Sequence, residues 1–148
     1  RLWAKIDVEG AVTVQILNDR PLGVVKTAVP KVVYQYLMIV HENIAENALG
    51  SVEIEFRVEI AWVEEKSMDK NTISLWRYDR SMDEWVELET EMVGEDDTYL
   101  YYVAKSPGLS FFAIAGEKMA PSIPLPWVVP LLMLSFGVLI VLFRRRMR

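Results

Sequence analysis

The chain has 148 residues, no cysteine, and a formal net charge of −5 from 16 basic and 21 acidic side chains. The missing cysteines exclude a disulfide scaffold, a cysteine-based zinc cluster and cysteine catalysis, and the acidic balance argues against nucleic acid as a partner. Hydrophobic residues make up 52% of the chain, which is enough apolar material for a core and excludes disorder over most of its length.

The chain begins at Arg1, without a methionine and without a hydrophobic signal region. A domain placed outside the cell has to be exported, so we expect an upstream signal in the gene product, and further upstream domains remain open.

Alternating apolar and polar residues predict short β-strands in the first half of the chain. Residues 2–8 and 11–17 are joined by Glu9-Gly10 and predict a tight hairpin. β-Branched and aromatic residues predict a strand over 32–40. The clearest amphipathic strand covers 52–62, with one apolar and one acidic face. Helical signal is confined to a possible turn over 41–49.

The second half continues the same pattern. Residues 73–78 and 85–91 predict a hairpin around the turn at 79–83, and two later runs, 99–104 and 110–115, complete a set of eight strands. Pro107-Gly108 suits a type II turn before the last strand. We therefore predict an all-β fold, an antiparallel, Ig-like β-sandwich, for an extracytoplasmic domain over residues 1–118.

The C-terminal segment has a different composition. Residues 123–143 contain no charge and, as a helix, would span roughly 31 Å, close to the ~30 Å hydrocarbon core of a bilayer. We predict a transmembrane helix over 127–143, preceded by a proline-rich neck over 119–126 that is either stiff polyproline-II chain or a disordered linker. The residues that mark this anchor are Trp127, Pro130, Phe136 and Phe143.

A basic tail over residues 144–148 closes the apolar run. It contains Arg144, Arg145, Arg146 and Arg148. By the positive-inside rule this tail is cytoplasmic, which places the N-terminal domain outside the cell. Residues 1–122 hold 12 basic and 21 acidic side chains, a balance of −9, whereas the remainder carries only the four arginines. The mild overall charge is therefore the average of an acidic domain and a basic membrane stop.

One region carries a family resemblance. Between residues 62 and 116, a strand that contains a tryptophan is followed by the motifs Ile-x-Leu-x-Arg and Trp-x-x-Leu-x-Thr. An aromatic strand comes next, and the region ends in the motif Pro-Gly-x-Ser-x-Phe-Ala-Ile-x-Gly. This pattern resembles the PGF-pre-PGF domain of archaeal cell-surface proteins, over roughly residues 30–116. The family-motif positions are Trp62, Leu75, Arg77, Trp85, Leu88, Thr90, Pro107, Gly108, Ser110 and Phe112.

The resemblance implies an archaeal cell-surface location and no catalysis. The chain departs from the family in two places. Leu109 stands where the family has Phe, and the membrane tail lacks the Pro-Gly-Phe tripeptide of the sorting signal. A retained anchor is therefore expected, and removal of the tail by a sortase-like enzyme or an extracytoplasmic protease is the alternative.

Three tryptophans are candidates for a carbohydrate-stacking platform. Alternation favours core positions for Trp62 and Trp85, whereas Trp76 points to the opposite face from Leu75 and Arg77 and is the one expected to be exposed for contact.

Two acidic groups, Glu95-Asp96-Asp97 and Glu64-Glu65 with Asp69, have oxygen ligands of the kind calcium takes but lack the required spacing. We expect both to be solvated turns. His41 is the only histidine, and no Ser-His-Asp arrangement is evident. We predict no metal, no cofactor and no enzymatic activity.

The predicted function is that of a non-catalytic, membrane-anchored cell-surface module that tethers and spaces an exported protein or surface layer at the archaeal membrane. Its expected partners are the lipid bilayer and other surface-layer or surface proteins, with no nucleic acid and no small-molecule substrate. The alternative is an extracellular ligand-binding or adhesion module, for sugar or a surface protein, that uses an exposed sheet face or an edge strand.

Overall fold

The computed structural model of the chain describes residues 3–5, 11–21, 23, 25–42 and 51–121. These residues form two antiparallel sheets with little helix, which confirms the predicted all-β fold. The predicted membrane anchor and basic tail, including Trp127, Pro130, Phe136, Phe143 and the four arginines from Arg144 to Arg148, lie outside the described residues. Within the described part of the chain, no helix is both long and apolar enough to cross a bilayer.

The two sheets have four and five strands. The strands are β1 (Trp3–Lys5), β2 (Ala11–Leu17), β3 (Val32–Glu42), β4 (Val52–Glu59), β5 (Ser74–Asp79), β6 (Glu84–Glu87), β7 (Thr90–Glu95), β8 (Tyr99–Ser106) and β9 (Phe111–Gly116). A helix α1 (Ile60–Glu65) and a 3-10 turn (Lys70–Thr72) connect β4 to β5. The four-stranded sheet has the order β1-β4-β8-β7, and the five-stranded sheet has the order β2-β3-β9-β5-β6.

The two predicted hairpins have different outcomes. β5 pairs with β6 across the turn at 79–83, as predicted. The hairpin predicted between the first two strands is wrong, because β1 pairs with β4 and β2 pairs with β3, in different sheets. Alternation identifies a strand and its buried face, but it does not identify the neighbour with which that strand forms hydrogen bonds.

Two predicted strands were also too long. The strand predicted over 52–62 ends at Glu59, where the chain turns into α1 after Ile60 donates to the carbonyl of Thr98 at 2.9 Å. The strand predicted over 85–91 is two strands, since β6 ends at Glu87 and β7 begins at Thr90 in the other sheet. The described residues therefore contain nine strands instead of eight. The helical turn expected from residue 41 is not found at its start, because β3 continues to Glu42, and its remaining residues lie outside the described ranges.

The main core lies between the sheets. β4 shows the clearest pattern, with Val52, Ile54, Phe56 and Val58 buried and the intervening residues facing outward. Each fully buried side chain of this size contributes about 1.5–3 kcal/mol through removal from water. β9 is central in the five-stranded sheet and all six of its residues are buried. A second cluster on the outer face of that sheet, which includes Val25 and Val29 from the loop after β2, explains why β9 is apolar on both faces.

Candidate functional site: two clefts that share Arg57

The polar residues of the four-stranded sheet gather on its outer face. The alternation that buries the apolar residues of β4 sends Arg57 and Glu59 to the opposite side. In the register of the sheet Arg57 stands opposite Tyr101 of β8, and Glu59 stands opposite Tyr99. The outer face therefore brings a guanidinium, a carboxylate and two half-buried phenol rings together on neighbouring strands.

The guanidinium of Arg57 is held by aromatic contact. Its central carbon lies 3.8 Å from the centre of the Tyr99 ring, within the range of a cation–π interaction, which contributes about 0.5–1 kcal/mol at an exposed site. The rings of Tyr99 and Tyr101 are 6.4 Å apart and tilted by 57°. Arg57 is consequently held over one tyrosine and next to the other.

Asp96 supports this aromatic pair from the β7–β8 turn. Its carboxylate accepts hydrogen bonds from the backbone N–H groups of Thr98 and Tyr99, both at 2.7 Å, and from the hydroxyl of Tyr101 at 2.6 Å. The Tyr101 hydrogen bond is the main cause of the lowered pKa of Asp96, and the same bond raises the pKa of Tyr101. The Asp96 carboxylate therefore already accepts three hydrogen bonds from the β7–β8 turn and β8.

The second acidic group considered for calcium makes contacts within its own segment of the chain. Asp69 caps the 3-10 turn by accepting from the backbone N–H of Asn71 at 2.9 Å, and Glu65 pairs with Lys66 at 2.6 Å. Among the residues that the structure describes, no group of three or more histidine, aspartate or glutamate side chains is placed to hold a metal ion.

A first cleft of about 360 Å³ opens between the two sheets beside β2. Its apolar lining includes Val14, Leu37 and Phe56, and its polar lining includes Tyr34 and Arg57. The volume lies within the range of about 300–1,000 Å³ that is usual for small-ligand sites. The cleft therefore combines an apolar floor with a few polar groups at its mouth.

Tyr34 forms one wall of the first cleft. Its ring packs edge-on against Trp62 of α1, with ring centres 4.9 Å apart. Burial is the main cause of the raised pKa of Tyr34, and a hydrogen bond from the backbone of Glu59 lowers it in part. Tyr34 is therefore a neutral hydroxyl at neutral pH, suited to hydrogen bonding rather than to proton transfer.

A second cleft, of about 470 Å³, lies along the outer face of the four-stranded sheet. Glu55, Arg57 and Tyr101 line it, and Val93 and Gly94 close it at an irregularity in the β7–β8 pairing. Phe56 and Arg57 line both clefts, so the clefts adjoin one another across β4. Aromatic faces beside a guanidinium and carboxylates are suited to ligands that combine apolar C–H surface with hydroxyl groups.

Most family-motif residues lie away from the clefts, around β5, β6 and β9, whereas Trp62 of α1 packs against Tyr34. Leu75, Leu88 and Phe112 belong to the main core, while Trp85 lies in the outer cluster and Trp62 is half-buried beside Tyr34.

Two motif hydroxyls connect strands. The Thr90 hydroxyl accepts from the backbone N–H of Leu75 at 3.1 Å and donates to the carbonyl of Leu88 at 2.9 Å. The Ser110 hydroxyl is buried and donates to the carbonyl of Tyr78 at 2.8 Å. The Ser110 contact joins the residue before β9 to β5, and the Thr90 contact with Leu75 joins the start of β7, where the chain passes to the other sheet, to β5.

The turn at Pro107-Gly108 differs from the prediction. A type II turn needs a positive φ at its glycine, and no described glycine has one. The turn is formed instead by the Ser106 hydroxyl, which donates to the carbonyl of Gly108 at 2.6 Å. Arg77 lies beside it, with a guanidinium nitrogen 3.9 Å from the position that a Cβ on Gly108 would take.

The prediction that Trp76 is exposed is wrong. Trp76 does point away from the main core, but that side is covered by the second cluster, and only 7% of the residue remains exposed. Its indole N–H is buried and has no hydrogen-bond partner among the residues that the structure describes. The apolar residues of the loop after β2, Val25 and Val29, provide the cover that strand alternation cannot reveal. A stacking platform on Trp76 is thereby excluded.

Sequence reasoning did not identify the residues of the two clefts as a site. Arg57 is more than 40 positions from Tyr99 and Tyr101 in the sequence and meets them only through the β4–β8 register. The sequence feature that pointed toward this site was the row of outward-facing residues on the 52–62 segment, which is mostly acidic.

In comparisons with known proteins, no family model, curated protein or solved structure matches this chain significantly.

Proposed function

We propose that the chain is a non-catalytic, membrane-anchored cell-surface module that tethers and spaces an exported protein or surface layer at an archaeal membrane. The archaeal and surface-layer parts of the proposal rest on the motif resemblance. The anchoring part rests on the uncharged run at 123–143 and the arginines that follow it.

The observation that carries the proposal is the way the chain leaves the sandwich. Immediately after β9, the carbonyl of Glu117 accepts from the backbone N–H of Asp69 at 2.9 Å, and its own N–H donates to the Thr72 hydroxyl at 2.8 Å. The N–H of Met119 donates to the carbonyl of Ser67 at 2.8 Å. Lys31 forms a salt bridge with the Glu117 carboxylate. We call residues 117–119 with the loop at 67–72 the exit clamp.

The position of β9 suits a strand that bears tension. β9 has antiparallel neighbours on both sides, β3 and β5. A pull on its C-terminal end along the strand loads both sets of interstrand hydrogen bonds in shear, so that many bonds share the force. The exit clamp adds its own hydrogen bonds just before the proline-containing segment, and the apolar run begins four residues after Met119.

The charge distribution is consistent with this arrangement. Residues 1–122 have a balance of −9, which favours a hydrated domain that stays off an anionic surface. All the basic residues beyond them are C-terminal to the apolar run, where they would set orientation.

Site-directed cysteines test both anchoring and orientation, because the chain has no cysteine of its own. Single substitutions Met82→Cys, at an exposed position of the β5–β6 turn, and Met147→Cys, in the basic tail, are made in the full chain expressed behind a secretion signal. We expect a membrane-impermeant maleimide to label Met82→Cys in intact cells and Met147→Cys only after lysis.

Carbonate extraction provides the second measurement. The full chain is expected to stay in the membrane pellet, and Leu134→Arg should release a large fraction, because an arginine at the centre of a spanning helix costs about 2.5–3.5 kcal/mol on insertion scales. Leu134→Ile is the matched control and should remain in the pellet. Complete extraction of the unchanged chain, or labelling of Met147→Cys in intact cells, would contradict the proposal.

The two clefts favour a second candidate function, the binding of a neutral saccharide. The Tyr101 ring offers a stacking face in the second cleft, and Arg57 and Glu59 offer a donor and an acceptor in the lining of the first cleft. An NMR titration of the chain with neutral oligosaccharides should shift the resonances of Tyr99 and Tyr101, and Tyr101→Ala should weaken binding at least tenfold. Shifts that are spread over the surface, or absent, would refute this function.

A further inference from the structure

The edge strands of the sandwich differ sharply in their protection. An edge strand exposes unpaired backbone groups, and proteins usually guard it with charge, shortness or a bulge. β6 has four residues with a glutamate at each end, and β1 has three residues and ends in Lys5. β7 carries Glu91 and Glu95 and an irregularity in its pairing at Val93. Each of these three edges therefore has at least one protective feature.

β2 has none of these features. It is seven residues long, reads Ala-Val-Thr-Val-Gln-Ile-Leu, and contains no charge, proline or glycine. Among the described residues it pairs only with β3, so its other edge has no strand partner there. Two of its apolar side chains are unusually exposed, Val14 at 38% and Ile16 at 66%. A flat, uncharged and apolar edge of this length is typical of a strand that pairs with another chain.

We propose that β2 pairs in antiparallel register with β2 of a second copy of this chain, about a twofold axis at Val14. The pairing joins two five-stranded sheets into one continuous sheet. It depends only on the sandwich and is independent of whether the C-terminal run is an anchor.

The sequence of β2 is complementary to itself in this register. With Val14 opposite its own copy, Val12 stands opposite Ile16 and Thr13 stands opposite Gln15. Opposite residues in an antiparallel pair share one face of the sheet. Apolar side chains would therefore meet apolar side chains on the inner face, beside the first cleft that Val14 and Ile16 already line, and polar side chains would meet on the outer face.

Charge favours a second copy over a charged partner strand. None of the 21 acidic residues lies between residues 11 and 17, so self-pairing puts no like charges opposite one another. The same pairing at β6 or β7 would bring glutamates of two acidic domains together, which is unfavourable. β2 is thus the edge at which two copies of this acidic domain meet without direct repulsion.

The interface is expected to be small. Seven paired residues form about six to eight interchain backbone hydrogen bonds, and contacts that bury less than about 1,200 Å² usually belong to weak, transient complexes. We therefore expect a weak dimer that dissociates on dilution.

Sedimentation of the full chain in non-ionic detergent, over a concentration series, tests the pairing. The unchanged chain should form dimers, and Ile16→Lys should shift the dissociation constant upward at least tenfold because it places a charged side chain opposite Val12 on the apolar inner face. Thr13→Lys, on the outer face, should do the same without touching the cleft. Val93→Lys is the matched control, since Val93 is 57% exposed on β7, and it should dimerise normally.

A single-cysteine variant tests the register. Opposite Cα atoms in an antiparallel pair are about 4.5–5.5 Å apart, which lies within the range of about 4.4–6.8 Å for disulfides. Val14→Cys should therefore form a covalent dimer rapidly under mild oxidation, and Val93→Cys should form one at least tenfold more slowly. The proposal is overturned by a chain that stays monomeric at millimolar concentration, by dimers that survive both lysine variants on β2, or by equal oxidation of the two cysteine variants.

Discussion

The pH dependence of stability should be governed in part by Tyr102 of β8. Its ring is buried in the main core and stacks on Phe56, with ring centres 5.3 Å apart and planes 14° apart. Its hydroxyl donates to the backbone carbonyl of Lys70 at 2.8 Å. Burial, with smaller contributions from the carboxylates of Asp69 and Glu95, raises the pKa of Tyr102 to about 12.

The sign of the effect follows from the two states of the chain. In the unfolded chain a tyrosine has a pKa of about 10, so the unfolded state loses this proton first as the pH rises. The folded state is then at a disadvantage, and the contribution of Tyr102 is fully present below pH 10 and is lost between about pH 10 and pH 12. A difference of about two pKa units makes this loss about 2 kcal/mol near pH 12.

The variant Tyr102→Phe separates this effect from other alkaline changes. At pH 8 it keeps the stacking but loses the hydrogen bond to Lys70, so it should be less stable by about 1 kcal/mol. Above about pH 11 the order should reverse, because phenylalanine has no proton to lose. The measurement is urea unfolding of the full chain in non-ionic detergent, followed by near-UV circular dichroism, at half-unit steps from pH 8 to pH 12.

A matched control is Tyr101→Phe on the same strand. The pKa of Tyr101 is raised mainly by its hydrogen bond to Asp96, on the solvent side of the sheet, so its variant should show a smaller change with pH. A difference between the unchanged chain and Tyr102→Phe that stays constant from pH 8 to pH 12 would refute the reasoning, because Tyr102 would then titrate alike in both states.

Three further substitutions probe the contacts described above, each measured by urea unfolding. Thr90→Val should lower the free energy of unfolding by about 1–3 kcal/mol, because it removes two hydrogen bonds where the chain crosses between sheets; a loss below 0.5 kcal/mol would contradict this (about the noise of such data). Trp85→Phe should cost about 1 kcal/mol more than Trp76→Phe, because the Trp85 indole donates to a carbonyl at 3.1 Å whereas the Trp76 indole has no partner within the described part of the chain. Equal costs would show that the indole bond is unimportant. Asp96→Asn should destabilise the chain at neutral pH, and the difference in unfolding free energy from the unchanged chain should shrink as the pH falls below about 4. The reason is that the pKa of Asp96 is lowered in the folded chain, so protonation in acid removes the stability that its carboxylate contributes. A difference in unfolding free energy that grows in acid would contradict this reasoning.

The proposed tether and the proposed β2 pairing use opposite parts of the same sheet. β9 is central and passes to the exit clamp, whereas β2 is the outermost strand on the other side of β3. Load applied through the C-terminus would therefore act on the interior of the sheet, and pairing between copies would use its free edge. Substitutions on β2 should accordingly leave the exit clamp unchanged.

The sequence by itself determined the class of the fold and much of its strand content. Period-two alternation depends on one face being buried, which is a local property, so β3, β5, β8 and β9 were located within a few residues. The same reasoning predicted the β5–β6 hairpin, where the pairing strands are neighbours in the chain. The solvated turn predicted at Glu95-Asp96-Asp97 lies at the end of β7 and before β8, whereas Glu64 and Glu65, predicted to lie in a turn, belong to α1.

Only the tertiary structure decided which strands are neighbours and which faces are covered. β1 and β2 follow one another in the chain but enter different sheets, since pairing depends on contacts with β4 and β3 that alternation does not encode. Trp76 is buried because a distant loop covers its face, and Arg57 meets the tyrosines of β8 only through register. The exposed edge of β2 was likewise invisible in the sequence, because an apolar strand reads the same whether it lies inside a sheet or at its free edge.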